Sequence, residues 1–299
     1  MSIKNWLAKN TASLAGKTVA VSGSTGGLGK ELCSYLASLG ASLILLDRSR
    51  ERSEAHASEL SERFGVRVKT FTLDLSEFES VRSCTEQLKD ENIDILIHNA
   101  GAYSIPRKIC DTGYDNVFQI NFASPYYMTR ELLPLLRQRS GRVVAVGSIA
   151  HNYSKIDEND LDFRTRTASS KVYGNSKRHL MFSLYSLFEN EDGATLSVVH
   201  PGITFTNITA HYPKLIFALI KHPMKIIFMK PKKAALCLIK GVFEQTARNE
   251  WIGPRFLNIW GLPGKKSLKT CSDDEISEIS KRAEEVYTAL CRLDIKEKL

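Results

Sequence analysis

The 299 residues leave room for one large α/β domain or two small ones, and 43% hydrophobic with 25% charged residues is ordinary globular usage, which excludes a largely disordered chain. Six scattered cysteines (Cys33, Cys84, Cys110, Cys237, Cys271, Cys291) without a C-x-x-C pair support neither a zinc site nor a disulfide framework, so reduced thiols, a cytoplasmic setting and no metal are expected. The net charge of +8 is local, because residues 193–243 hold seven lysines and no Asp, Glu or Arg, and no nucleic-acid partner is expected.

The N-terminal stretch MSIKNWLAKNTASLAGK lacks the apolar run of a signal peptide, and no segment approaches the ~20 apolar residues of a membrane span. Residues 1–16 are read as an N-terminal extension and 17–299 as the domain. From Thr18 onward, short β-branched runs recur: TVAVSG at 18–23, SLILLD at 42–47, VRVKTFTLD at 66–74, IDILIHN at 93–99, RVVAVGS at 142–148 and TLSVVHP at 195–201. Helix-length amphipathic patterns lie between them, as in Leu28–Leu39, Val81–Leu88 and Met128–Leu136. This alternation predicts parallel strands joined by crossover helices, hence an α/β doubly wound parallel sheet of the Rossmann-like kind. After His200 the pattern changes. The sequence predicts a substrate lid over about 203–233, a helix around Lys232–Thr246 and a C-terminal helix over about 273–291, all within one domain.

The first strand runs into Ser22-Gly23-Ser24-Thr25-Gly26-Gly27-Leu28-Gly29. A strand, then glycines, then a helix start forms a phosphate cradle, since glycine lets the backbone approach a pyrophosphate and the helix N–H groups face its charge. The second strand ends in Asp47-Arg48. An acidic tip accepts hydrogen bonds from ribose hydroxyls and repels a 2′-phosphate, whereas Arg48 would attract one. Gly26 supplies no second cation, so NAD is expected in preference to NADP, with NADP left open.

These residues resemble the short-chain dehydrogenase/reductase family. Ser22-Gly23-x-x-x-Gly27-x-Gly29 is similar to its Thr-Gly-x-x-x-Gly-x-Gly motif, and Asp74-Leu75 to its adenine-contacting Asp. His98-Asn99-Ala100-Gly101 matches its Asn-Asn-Ala-Gly except at the first residue. Asn121, Ser148 and Tyr173-x-x-x-Lys177 stand where the family has its catalytic tetrad. Pro201-Gly202 followed by Thr206 resembles the stretch that holds the nicotinamide carboxamide. The 25-residue spacing from Ser148 to Tyr173, with Ser-Ile-Ala-His at 148–151, resembles the retinol-dehydrogenase-like and WW-domain-oxidoreductase-like branch. The resemblance implies that Lys177 holds the nicotinamide ribose, that Asn121 holds a relay water and that the protein forms a homo-oligomer.

The chemistry follows from the residue types as well. Tyr173 and Lys177, four apart, share a helix face. A neighbouring ammonium is expected to lower the phenol from its usual ~10 toward working pH, so that Tyr173 exchanges a proton with substrate. Ser148, past the fifth strand, is placed to hydrogen-bond the substrate oxygen. His151 and His200 read as structural. The expected activity is interconversion of an alcohol and a carbonyl, with a dinucleotide-binding regulator or a peripheral membrane protein as the rival readings. In segment 212–233, YPKLIFALIKHPMKIIFMKPKK, lysines interleave with apolar residues. That pattern favours an apolar substrate (a lipid, steroid or retinoid) and is compatible with contact at an anionic membrane.

Overall fold

The apolar runs become strands because each is a string of aliphatic and β-branched residues that a sheet covered on both faces can bury. In the computed structural model, which describes residues 1–203, 229–268 and 270–297, they are β1 (Thr18–Ser22), β2 (Ser42–Asp47), β3 (Val68–Thr72), β4 (Ile95–His98), β5 (Arg142–Val146) and β6 (Thr195–Val199). They pair in parallel in the order β3-β2-β1-β4-β5-β6. Beyond them, β7 (Glu250–Phe256) continues the parallel set and β8 (Trp260–Ser267) returns antiparallel. This last hairpin is absent from the sequence reading. Pro254 pairs with Pro263 and Gly253 with Gly264, and residues that usually interrupt strands hide the alternation here.

The flanking helices are α1 (Ile3–Asn10), α2 (Gly27–Ser38), α3 (Arg50–Phe64), α4 (Phe78–Lys89), α5 (Ser124–Gln138), α6 (Ser169–Leu187), α7 (Pro231–Phe243) and α8 (Asp273–Glu297). One core packs α4, α5, α6 and α8 on the sheet, and the other packs α1, α2, α3 and α7 on its opposite face. The chain is thus one Rossmann-like domain. Residues 1–16 are packed on it: Ser2 caps α1 by accepting the Asn5 N–H, and Trp6 and Leu14 are buried in the second core.

The helix expected over Lys232–Thr246 stops at Phe243. Past that point the backbone serves β6 instead, with Ser197 Oγ donating to the Glu244 carbonyl and Thr246 N–H to that of Leu196 at 3.0 Å. Of the expected lid, Ile203 and residues 229–233 are described, and the Met229 N–H donates to the Ile203 carbonyl at 2.9 Å. Thr206 and residues 212–228 lie outside the described residues. Among the described residues no helix is long and apolar enough to cross a membrane. The strand order reverses between β1 and β4, and the crevice at the C-terminal strand ends is where such a sheet binds ligands.

Candidate active site

A cleft of about 690 Å³ opens at those strand ends. Its first end is the glycine loop. Gly23 adopts φ +70° against Ala100, and a Cβ on Gly29 would lie 2.1 Å from the Gly23 carbonyl, so α2 can approach the loop only with glycine there. Gly26 caps α2 without a side-chain hydrogen bond. The first N–H groups of the helix therefore border the cleft with no side chain covering them, the arrangement an anion requires.

Two side chains hold this loop. Ser22 Oγ accepts the N–H groups of Asn99 and Ala100 at 3.2 and 3.1 Å, and Asn99 Nδ2 donates to the carbonyls of Ser22 and Gly23, each at 3.0 Å. The tips of β1 and β4 are thereby clasped.

Asp47 lines the cleft but is engaged by the protein. Its carboxylate is 4% exposed and takes four hydrogen bonds from the protein: from Ser24 Oγ, from the Thr25 N–H at 3.0 Å, from Thr25 Oγ1 at 2.9 Å and from Ser53 Oγ at 3.1 Å. The sequence argument requires oxygens free for ribose, and these are engaged in bracing the glycine loop. Ser24 is likewise fully buried beneath the loop and does not reach the cleft. Arg48 is 79% exposed, with Nε 3.9 Å from Asp74 Oδ2. Arg52, in the first turn of α3, donates to the Thr25 carbonyl at 3.2 Å. Both guanidinium side chains line the cleft. The other oxygen of Asp74 accepts from the Ser76 N–H and hydroxyl.

At the far end, β5 delivers Ser148 in extended conformation, with its Oγ accepting the Ala150 N–H at 3.2 Å. Tyr173 and Lys177 project from one face of α6. Burial pushes the Tyr173 phenol up to about 12, opposed by its hydrogen bond to Ser148. Tyr103 meets the ring edge-on at 5.2 Å. Lys177 Nζ donates to the Val146 carbonyl at 2.9 Å and stands 5.9 Å from the Tyr173 ring centroid; burial pulls it down to about 8. The expectation that the ammonium lowers the phenol thus fails for the protein alone, because burial outweighs it and the ammonium is turned toward a carbonyl.

Asn121 sits within a π-turn, Gln119–Ala123, that precedes α5. Its amide is occupied by one residue, donating to the Ala102 carbonyl at 2.8 Å and accepting the Ala102 N–H at 3.0 Å. His98 is buried, its Nε2 paired with Thr129 Oγ1 at 2.8 Å, and burial pulls it down to about 3.

Of the candidate catalytic and cofactor-binding residues read from sequence, the described ones all line the cleft except Ser24 and Asn121; Ser22 and His98 of the two motifs do not line it, and Thr206 lies outside the described residues. Sequence reasoning missed Arg52, Tyr103, Ile105, Ile120 and Tyr153 in the lining. Arg52 carried a signal, being a cation in the first turn after the acidic strand tip, whereas the other four belong to no motif that the sequence offered.

The family model described as short chain dehydrogenase matches residues 17–214. The chain belongs to this family. Human retinol dehydrogenase 13 is similar to this short-chain dehydrogenase at 31% identity over 207 residues, covering 67% of the chain and 62% of the relative. Bovine dehydrogenase/reductase SDR family member 13 is 33% identical, with 76% and 62% covered. The chain thus spans a little under two thirds of these relatives' own length. Among solved structures, an uncharacterised protein from Mycobacterium paratuberculosis superposes with a TM-score of 0.74 at 24% identity, covering 94% of this chain and 97% of that one. The Pseudomonas aeruginosa RhlG/NADP active-site complex superposes at 0.59 with 26% identity, covering 78% and 93%.

Proposed function

We propose that this short-chain dehydrogenase is an NAD(P)-dependent oxidoreductase interconverting an alcohol and a carbonyl by hydride transfer. The observation that carries the reading is that Ser148, Tyr173 and Lys177 line one cleft whose other end is an uncapped, glycine-lined helix start. The residues fit a dinucleotide. The N–H groups at Gly27–Gly29 border the cleft, and Asn99 Oδ1 is a buried acceptor left without a partner. When bound, the nicotinamide supplies or takes up the hydride.

The chain's own residues do the rest. Tyr173 moves the proton: in reduction its hydroxyl gives a proton to the carbonyl oxygen as the carbon receives hydride, and in oxidation the reverse holds. The phenol, raised by burial, is protonated at neutral pH, the form that donates in carbonyl reduction, whereas oxidation requires its phenolate. Ser148 orients the substrate oxygen. Lys177 would hold the nicotinamide ribose through its ammonium, and Asn121, whose amide is engaged by Ala102, would serve a relay water through its main chain. Asp74 and Leu75 would border the adenine; Pro201 and Gly202, with Thr206, would border the nicotinamide.

Cofactor preference turns on Asp47. With its oxygens engaged under the loop, it is a poor ribose acceptor, and Arg48 and Arg52 at the same end of the cleft suit a phosphate. We therefore favour NADP(H), against the weight that the sequence placed on Asp47.

An apolar substrate is supported by the aliphatic and aromatic lining from Tyr103, Ile105, Ile120, Ile149 and Tyr153, and by the relatives named as retinol dehydrogenases. The lysines of 212–233 make contact with an anionic membrane part of the same proposal, and flotation with anionic vesicles at low salt, expected to fail when Lys221, Lys225 and Lys230 become Gln, tests it. The activity is tested with NADPH or NADH and a panel of apolar aldehydes and ketones. Turnover is expected, and Tyr173→Phe should lower it by roughly 10²–10⁴-fold with cofactor binding retained. A Tyr173→Phe variant of unchanged rate would overturn the assignment.

A further inference from the structure

The proposed reaction requires the Ser148 hydroxyl to hold one direction, yet Ser148 lies on a turn past the end of β5, outside the regular hydrogen bonding of the sheet. What fixes it is a buried chain of contacts that reaches the C-terminal part of the molecule. The Ser148 carbonyl accepts the main-chain N–H of His151 at 3.2 Å and lies 2.5 Å from the same residue's Nδ1, and the other ring nitrogen, Nε2, is 2.9 Å from Thr270 Oγ1. His151 is fully buried and does not line the cleft. Its own carbonyl accepts from Arg178 Nη1 at 2.8 Å. Arg178, 3% exposed, also donates to the Thr270 carbonyl at 2.7 Å and forms a two-pronged ion pair with Glu275 of α8 at 2.8 and 2.7 Å.

On the other side, α6 presses on the same turn. A Cβ on Gly174, next to Tyr173, would lie 2.2 Å from the Ala150 carbonyl.

We propose that His151 is a positioning residue for Ser148, through which Thr270 and Glu275 of the C-terminal segment set the direction of the serine hydroxyl. The partners define one ring form. A carbonyl can only accept, so Nδ1 carries the hydrogen that points at Ser148, and Nε2 accepts from the Thr270 hydroxyl. The ring bond adds to the main-chain bond on the same carbonyl and narrows the rotation of the Ser148 peptide, so that Oγ keeps accepting the Ala150 N–H in the lining it shares with Tyr173. Left with the 3.2 Å main-chain bond alone, the serine would sample a wider range of orientations and the substrate oxygen would lose alignment, an error that costs rate more than binding.

This inference rests on the oxidoreductase reading, and the test separates the two. Turnover by the unmodified protein decides whether the chain is an oxidoreductase; the comparison of variants and the ring's hydrogen position decide this one. In His151→Asn the amide nitrogen occupies the place of Nδ1 and still donates to the Ser148 carbonyl, whereas His151→Leu cannot donate. The expected result is a kcat roughly tenfold or more lower in His151→Leu, with KM and cofactor Kd within about twofold, and restoration to within about threefold of the unmodified rate in His151→Asn. Equal loss in both variants would make the ring only a spacer and overturn the proposal, as would an unchanged kcat in His151→Leu. A second readout needs no turnover. The nitrogen-15 spectrum of the unmodified protein should show His151, recognised by its disappearance in His151→Asn, as a neutral ring bearing its hydrogen on Nδ1; a hydrogen on Nε2 alone would refute the link to Ser148.

Discussion

Replacing Asp47 with Ala separates two accounts of the cofactor end. If Asp47 were a ribose ligand that repels a 2′-phosphate, the variant would lose NAD(H) affinity and gain NADP(H) affinity. The structure predicts another outcome, because the carboxylate braces Ser24, Thr25 and Ser53. Two of the stranded donors, the hydroxyls of Ser24 and Ser53, are 0% and 1% exposed. A buried polar group left without a partner costs about 1–3 kcal/mol. Hydroxyls can rotate toward other acceptors, so a net loss of roughly 2–4 kcal/mol is the reasonable range. For a domain of this size that corresponds to a fall in Tm of about 3–6 °C. The loop that this carboxylate braces carries the phosphate cradle, so affinity for NADH and NADPH should drop together, with their ratio changing less than about fivefold. Differential scanning fluorimetry and equilibrium titration of both cofactors give the two numbers. Arg48→Ala is the counterpart: it should leave Tm unchanged and weaken NADPH alone by roughly 10–100-fold, the worth of a charge-assisted hydrogen bond. An Asp47→Ala protein of normal Tm that has switched from NADH to NADPH by a hundredfold would refute the bracing account.

The remaining predictions concern pH and the loop. Lys177 is held near 8 by burial, so cofactor Kd should be flat below about pH 7 and rise above about pH 8, by at most tenfold per unit for one proton; a Lys177→Gln profile should be flat throughout, and an equally steep one would exclude this lysine as the titrating group. Because the folded-state value is depressed, the same group contributes stability above its ordinary value of 10.5, and this contribution is lost as pH falls through about 8. The Tm of the cofactor-free protein should therefore climb over that window relative to Lys177→Gln. Gly29→Ala puts a methyl 2.1 Å from the Gly23 carbonyl and should weaken both cofactors more than tenfold; near-normal titration would show that the loop yields.

Much of the fold was legible because its signals are local. Runs such as TVAVS and SLILLD are buried almost without interruption, and a parallel sheet writes itself into sequence in that way. The glycine loop was legible for the same reason, since strand, turn and helix are contiguous. The hydrogen bonds of Asp47 were not, because they include one from Ser53, six residues on and folded back beneath the loop, and an acceptor already occupied looks identical in sequence to a free one. The direction of the Tyr173 shift failed similarly: helical spacing places Lys177 on the same face, but the Val146 carbonyl, from another strand, decides where the ammonium turns. The β7–β8 hairpin was hidden by its paired prolines and glycines, and the bracing of Ser148 by residues about 120 positions downstream in the chain.

The central claim is that this cleft moves a hydride between nicotinamide and a carbonyl carbon while Tyr173 moves the proton. Its most direct test is to supply NADPH or NADH carrying deuterium on the transferable position of the ring, with an apolar ketone that turns over, and to examine the alcohol by mass spectrometry and NMR. The account predicts one deuterium on the carbinol carbon and none on oxygen after exchange in water, with the labelled product nearly absent from the Tyr173→Phe protein. Alcohol formed without deuterium at that carbon, or labelled equally well by Tyr173→Phe, would contradict it.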